Sequence, residues 1–80
     1  MTTVQAKLFA TLRRYRPEVG LGEPFAVELP VGSTLADLVR EIGLPEDEVK
    51  LIFVNGLHRD LDQVLNEGDE VGIFPPVGGG

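Results

Sequence analysis

An α+β fold, two layers deep with one helix on one face of a mixed sheet, is what this sequence predicts. Three observations predict it. Short stretches alternate apolar and polar residues at strand spacing, one segment alone carries helical spacing between recognisable caps, and 80 residues suffice for a single small domain.

Val4, Ala6 and Leu8 alternate with Gln5 and Lys7, which predicts a half-buried first strand. Ala10 to Tyr15 is expected to make a short helical turn. Arg16 to Pro24, with Pro17, Gly20, Gly22 and Pro24, reads as a loop. Phe25, Val27 and Leu29 alternate again and predict a second strand ending at Pro30. The helix follows: Thr34 is placed to cap it, Asp37 stands at the third helical position, and Leu35, Leu38, Val39 and Ile42 share one face. Gly43 and Pro45 predict its end. Pro45 to Glu48 is a polar connection with room for one turn. Leu51 to Val54 is a continuous apolar run, expected to be a strand covered in part on both faces. Asn55-Gly56 signals a tight hairpin into a return strand at Leu57 to Arg59. Leu61, Val64 and Leu65 suggest a single turn packed on the core. Asn66 to Asp69 is a turn, and Glu70 to Phe74 the last strand. The helix is long enough to cross between parallel strands, so the first and last strands are expected side by side at the centre of a sheet of four to five strands.

Strand parity then points to a patch. If Val4, Ala6 and Leu8 face the helix, Phe9 faces away; if Val71 and Ile73 face the helix, Phe74 faces away as well. Phe9 and Phe74 are expected to share the uncovered face, with Phe53 a further candidate. Aromatic residues on an open sheet face are docking anchors, unless the segment from Arg13 to Pro24 folds over them. His58, just past the hairpin, reads as an exposed residue or one on a partner interface.

Composition excludes several function classes. The chain has no cysteine and one histidine, so a thiolate metal site, a cysteine nucleophile and a multi-histidine metal site are all excluded. The net charge of −6 argues against nucleic-acid binding, which rests on basic groups meeting phosphates. Neither a membrane-spanning run nor a signal peptide is visible, and a cytoplasmic location is expected. Gly20-Leu21-Gly22 lacks the lysine and spacing of a nucleotide-binding loop.

The remaining feature is Pro75-Pro76-Val77-Gly78-Gly79-Gly80. Read as a chain end, it is a thin tail (residues 75–80) on a folded body (residues 1–74). The prolines favour an extended stem, the glycines lack the Cβ that would jam a narrow channel, and six extended residues reach roughly 20 Å. The Gly80 carboxylate would be ionised and unreactive at neutral pH. It needs activation as an acyl donor, which this chain has no equipment to perform. The tail is therefore expected to be a partner's substrate.

The segment Asn66-Glu67-Gly68-Asp69-Glu70-Val71 followed by Phe74-Pro75-Pro76-Val77-Gly78-Gly79-Gly80 resembles the ending of the ubiquitin-like sulfur carriers, namely the molybdopterin synthase small subunit and the thiamine-pathway carrier. Leu8-Phe9-Ala10-Thr11-Leu12-Arg13 resembles the first-strand motif of the former. Val31 to Leu38 and Val54-Asn55-Gly56 match in order. The resemblance implies a β-grasp fold with a flexible tail. It also implies an activating enzyme that adenylates Gly80 with ATP and magnesium, a sulfur donor enzyme that converts it to a thiocarboxylate, and the large subunit of molybdopterin synthase as recipient. This chain would bind no cofactor or metal itself. Gly79 would give clearance, with Phe9, Phe74, Pro75, Pro76, Val77 and Gly78, and with them Phe53 and His58, at the partner interface. Gly78 departs from the small residue, such as serine or alanine, that relatives often carry there. The thiamine-type carrier, and a modifier joined to lysines through Gly80, stand as alternatives.

Overall fold

The computed structural model describes residues 1–20 and 22–76. Among the described residues five strands form one sheet, β1 (Thr2–Leu8), β2 (Phe25–Leu29), β3 (Leu51–Val54), β4 (Leu57–His58) and β5 (Glu70–Phe74), with a single α-helix, α1 (Leu35–Ile42). Their spatial order is β2-β1-β5-β3-β4. β1 and β5 are parallel at the centre, with Lys7 opposite Gly72 and Leu8 opposite Ile73, and every other pairing is antiparallel. This is the β-grasp architecture, with the first and last strands adjacent as expected.

Alternation decides the layers. Val4, Ala6, Leu8, Val27, Leu29, Ile52, Val54, Val71 and Ile73 turn to one side of the sheet, where they meet Leu35, Leu38, Val39 and Ile42 of α1 in a single core. Burying side chains of this size stabilises each by about 1.5–3 kcal/mol relative to exposure. Leu12, on a short 3-10 helix at Ala10–Tyr15, is also fully buried, which fixes the chain immediately after β1. A second 3-10 turn at Glu46–Glu48 leads into β3.

α1 begins in a capping box. Asp37 N donates to Thr34 Oγ1 at 3.4 Å, and Thr34 N donates to Asp37 Oδ2 at 2.9 Å. That second bond holds the Asp37 carboxyl below the ordinary aspartate range. Two more amides of the first turn find partners in a distant segment: Leu35 N donates to Gln63 O at 3.0 Å and Ala36 N to Leu61 O at 2.9 Å. Here the structure refines the expectation for Leu61, Val64 and Leu65. Leu65 is buried and a turn closes between Asp60 and Gln63, but Val64 is 47% exposed and forms an isolated bridge with Thr34. The expected turn is thus present, and past it the chain passes along the helix start, where the carbonyls of Leu61 and Gln63 serve first-turn amides that have no partner within the helix. At the other end Gly43, at φ +89, supplies the left-handed stop. Asn55 (φ +52) and Gly56 (φ +85) form the two-residue hairpin loop between β3 and β4.

Candidate functional site

α1 covers one face of the sheet, and the other face carries the aromatic residues. Phe9, one residue past β1, donates its amide to Ile73 O at 3.1 Å and so prolongs the ladder with β5. Its side chain turns away from the core, as does that of Phe74 at the end of β5. The two rings stack with centroids 4.2 Å apart and planes 4° from parallel. Phe53 of β3 meets the edge of Phe74 at 5.6 Å and 86°. His58, opposite Phe53 across the β3–β4 hairpin, tilts against it at 5.8 Å. The structure thus brings together four residues from four segments on one face. All three phenylalanines are half-buried, and His58 is exposed.

The loop that could have covered them goes elsewhere. Tyr15 packs against the core, and the Arg16 guanidinium lies 5.5 Å from the ring of Phe25. Phe25 is itself on the helix side, opposite Ala6. Of the described residues between Arg13 and Pro24, only Pro24 reaches the rim of the aromatic patch.

The rings line an open depression of about 590 Å³ together with Gly72, Lys7 and Glu70. Gly72 was not singled out by sequence reasoning. A β-carbon there would sit 3.3 Å from Phe9 Cε2 and 3.6 Å from Phe74 Cε1. The missing side chain therefore lets the stacked pair lie low over the central strand. Position 72 has the same parity as Phe74, so an outward-facing glycine two residues before an outward-facing aromatic was the available signal.

The patch sits at the root of the tail. Phe74 O accepts from Lys50 N at 2.8 Å, and Pro75 then ends the ladder because it has no amide to donate. Pro75 is half-buried and Pro76 exposed. Val77, Gly78, Gly79 and Gly80 lie outside the described residues. Among the described residues no group of three or more His, Cys, Asp or Glu is placed to hold a metal ion, and no helix is long and apolar enough to cross a membrane.

Comparison with known proteins gives this geometry a context. The ThiS family model matches residues 6–80. The chain belongs to the ThiS family. Three solved structures agree with that membership in fold. A Pyrococcus furiosus protein described as a molybdopterin converting factor, subunit 1, is 34% identical with a TM-score of 0.74, over 96% of this chain and 100% of that one. SAMP1 from Haloferax volcanii is 26% identical with a TM-score of 0.69, over 98% and 99% of the two chains. A second crystal structure, of H. volcanii small archaeal modifier protein 1, has a TM-score of 0.76 at 22% identity over 96% and 100%, a likeness of fold. No curated protein matches the sequence. As a ThiS-family member the chain is a small ubiquitin-like carrier domain, and carriers of this family work with activating enzymes and partner subunits.

Proposed function

We propose that this protein is the sulfur-carrying small subunit of a molybdopterin synthase. In this reading the Gly80 carboxylate attacks the α-phosphorus of ATP on an activating enzyme, with magnesium assisting there, and pyrophosphate leaves. Hydrosulfide released by a donor enzyme then attacks the acyl carbon, the bond to the AMP phosphate oxygen breaks, and a thiocarboxylate and AMP result. The large subunit of the synthase admits the tail and takes the sulfur for the pterin product. Gly79 and Gly78 supply clearance, Pro75, Pro76 and Val77 form the stem, and Phe9, Phe74, Phe53 and His58 dock the body so that the tail points into the partner's channel.

The observation that carries the reading is the stacked Phe9–Phe74 pair. It lies on a face the domain's own helix leaves open, and Phe74 adjoins Pro75 at the root of a glycine-ended tail. A docking surface at the root of the segment that carries the reactive group suits delivery into another protein. The similarity to the P. furiosus protein favours the molybdopterin branch over the thiamine branch.

Reconstitution tests it. The protein is incubated with an activating enzyme, ATP, magnesium and a sulfur donor, then weighed intact. The expected product is heavier by the difference between one sulfur and one oxygen atom, and it supports molybdopterin formation once the large subunit is added. A carrier that is loaded but serves only thiazole synthesis overturns the pathway. One that is never loaded overturns the carrier reading. The second reading, a protein modifier, has the similarity to SAMP1 in its favour. It predicts conjugates that leave Gly79-Gly80 on target lysines.

A further inference from the structure

We propose that Asn55 is a site of spontaneous deamidation that the fold holds shut: its carboxamide is latched to Asp69 and Glu70, and conversion to a carboxylate breaks that latch beside the aromatic patch. The consequence for docking rests on the carrier reading above; the chemistry does not.

The chain has two asparagines, Asn55 followed by Gly56 and Asn66 followed by Glu67. The backbone nitrogen after an asparagine can attack the side-chain carbonyl carbon, and only Gly56 offers that nitrogen with no Cβ beside it. Hydroxide removes the Gly56 amide proton, the nitrogen bonds to Asn55 Cγ, the bond from Cγ to Nδ2 breaks, and ammonia leaves. Water then opens the cyclic imide. Attack at Cγ gives aspartate, and attack at the backbone carbonyl carbon gives isoaspartate, in which the main chain gains a methylene.

The structure shows what this reaction has to undo. Asn55 stands at the corner where β3 turns into the hairpin, at φ +52. Its amide still pairs with β5, donating to Glu70 O at 2.8 Å. The return bond comes from the side chain: Glu70 N donates to Asn55 Oδ1 at 2.9 Å. The carboxamide thus serves as the next carbonyl of the ladder. Its other end, Nδ2, donates to Asp69 Oδ1 at 3.0 Å. The partners fix which end is which, since an amide N–H requires an acceptor and a carboxylate only accepts. Asp69 is itself anchored, with Oδ2 accepting from Asn66 N at 2.8 Å and its carbonyl from Gln5 N at 2.9 Å. Ring closure requires Cγ to swing toward Gly56 and away from β5, so both carboxamide bonds must open first.

The product cannot close the latch again. A carboxylate at position 55 still accepts from Glu70 N, but it has no hydrogen for Asp69 Oδ1. Two like charges would meet where a hydrogen bond stood, which is destabilising between paired strands. Asn55, Gly56 and Glu70 line the same depression as Phe53 and Phe74, and Phe53 lies two residues back on β3. The docking face therefore gains negative charge at one rim and loses part of the hold on the strand that carries Phe53.

The test follows the tryptic peptide spanning residues 51–59, weighed for exchange of an amide nitrogen for oxygen, during incubation at mildly alkaline pH. The folded parent protein is expected to react about thirtyfold more slowly than the chain unfolded in urea, the factor that two hydrogen bonds of ordinary net strength supply. Asp69→Ala is expected to react about fivefold faster than the folded parent, the share of one bond. Ile42→Val, a comparable loss of stability in the core at the far end of α1, is expected to leave the rate unchanged. Below the unfolding transition the parent's rate should rise with urea much less steeply than its unfolding constant, because opening the latch exposes little surface. A folded rate equal to the unfolded one overturns the proposal. So does equal acceleration by Ile42→Val and Asp69→Ala, or a rate that tracks global unfolding in urea. Asn55→Asp is expected to bind the activating enzyme about fivefold more weakly, and unaltered affinity overturns the consequence for docking. If the parent protein binds no activating enzyme, the carrier reading fails and the deamidation rates still decide this one.

Discussion

The two faces of the sheet are built from alternating residues of the same strands, yet they solve opposite problems. On the helix side, Val4, Ala6, Leu8, Val71 and Ile73 are buried to at least nine-tenths and meet side chains of the same chain. On the other side Phe9, Phe53 and Phe74 meet one another and His58 and stay half-buried. The first face holds the fold. The second holds a shape that the fold does not need, and aromatic pairs left half-exposed are the usual anchors of an interface. The difference predicts that stability and transfer can be separated by mutation, face by face.

The largest effect belongs to the tail that adjoins the second face. Deleting Gly79-Gly80 is expected to abolish thiocarboxylate formation while leaving the thermal midpoint unchanged, checked by intact mass and calorimetry. Next comes the buried face. Leu38→Ala is expected to cost about 2–5 kcal/mol in urea unfolding through the cavity it leaves, with affinity per folded molecule for the activating enzyme unaltered. The opposite pattern is expected for Phe74→Ala, which should weaken that affinity by about 2 kcal/mol, roughly thirtyfold in Kd, while costing less stability than Leu38→Ala. Equal losses of stability and affinity in both variants would erase the distinction between the faces.

How much of this was legible beforehand follows from the same comparison. Parity is a local property, so Val4, Ala6, Leu8 and Phe9 could be assigned to their faces from spacing alone. The capping box at Thr34 and Asp37, the Gly43 stop and the Asn55-Gly56 hairpin are local too, and each stands where the residues pointed. What spacing could not give was contact between distant segments. The carbonyls of Leu61 and Gln63 accept from the start of α1, and Val64 is left outside. The bond from Tyr15 to Glu48 spans 33 residues, and no periodicity announces it. Gly72 was missed for another reason: parity gives its face, but its role is the space it leaves beneath two rings whose stacking depends on register across two strands.

Gly72 sharpens the comparison because it belongs to the open face alone. Replacing glycine within a strand removes a conformational penalty, so Gly72→Ala is expected to leave stability unchanged or slightly raised. The added carbon, 3.3 Å from Phe9, should tilt the stacked pair and reduce docking by about 1 kcal/mol, roughly fivefold. Titration calorimetry against the activating enzyme reads the loss, and urea unfolding reads the stability. A variant that docks normally would mean that the partner does not sense how the rings lie.

The smallest effect lies at the start of α1, remote from the open face. Thr34→Ala is expected to cost about 1 kcal/mol, the usual loss for an N-cap residue, with no change in docking. Asp37 adds a dependence on pH whose sign is fixed by its surroundings. Its folded pKa is lowered, chiefly by the bond from the Thr34 amide and further by Thr34 Oγ1 and Arg40. A carboxyl with a depressed folded pKa contributes stability that is present above its unfolded value, near 3.9, and is lost as the pH falls through the folded value. Asp37→Asn should therefore be less stable than the parent protein at neutral pH, and the gap should close in acid once both the folded and unfolded carboxyls are protonated. Urea unfolding at the two pH extremes measures it. A gap that persists unchanged in acid would show that the capping box acts through its shape rather than its charge, while a change in docking at neutral pH would show that the two faces are coupled through the helix after all.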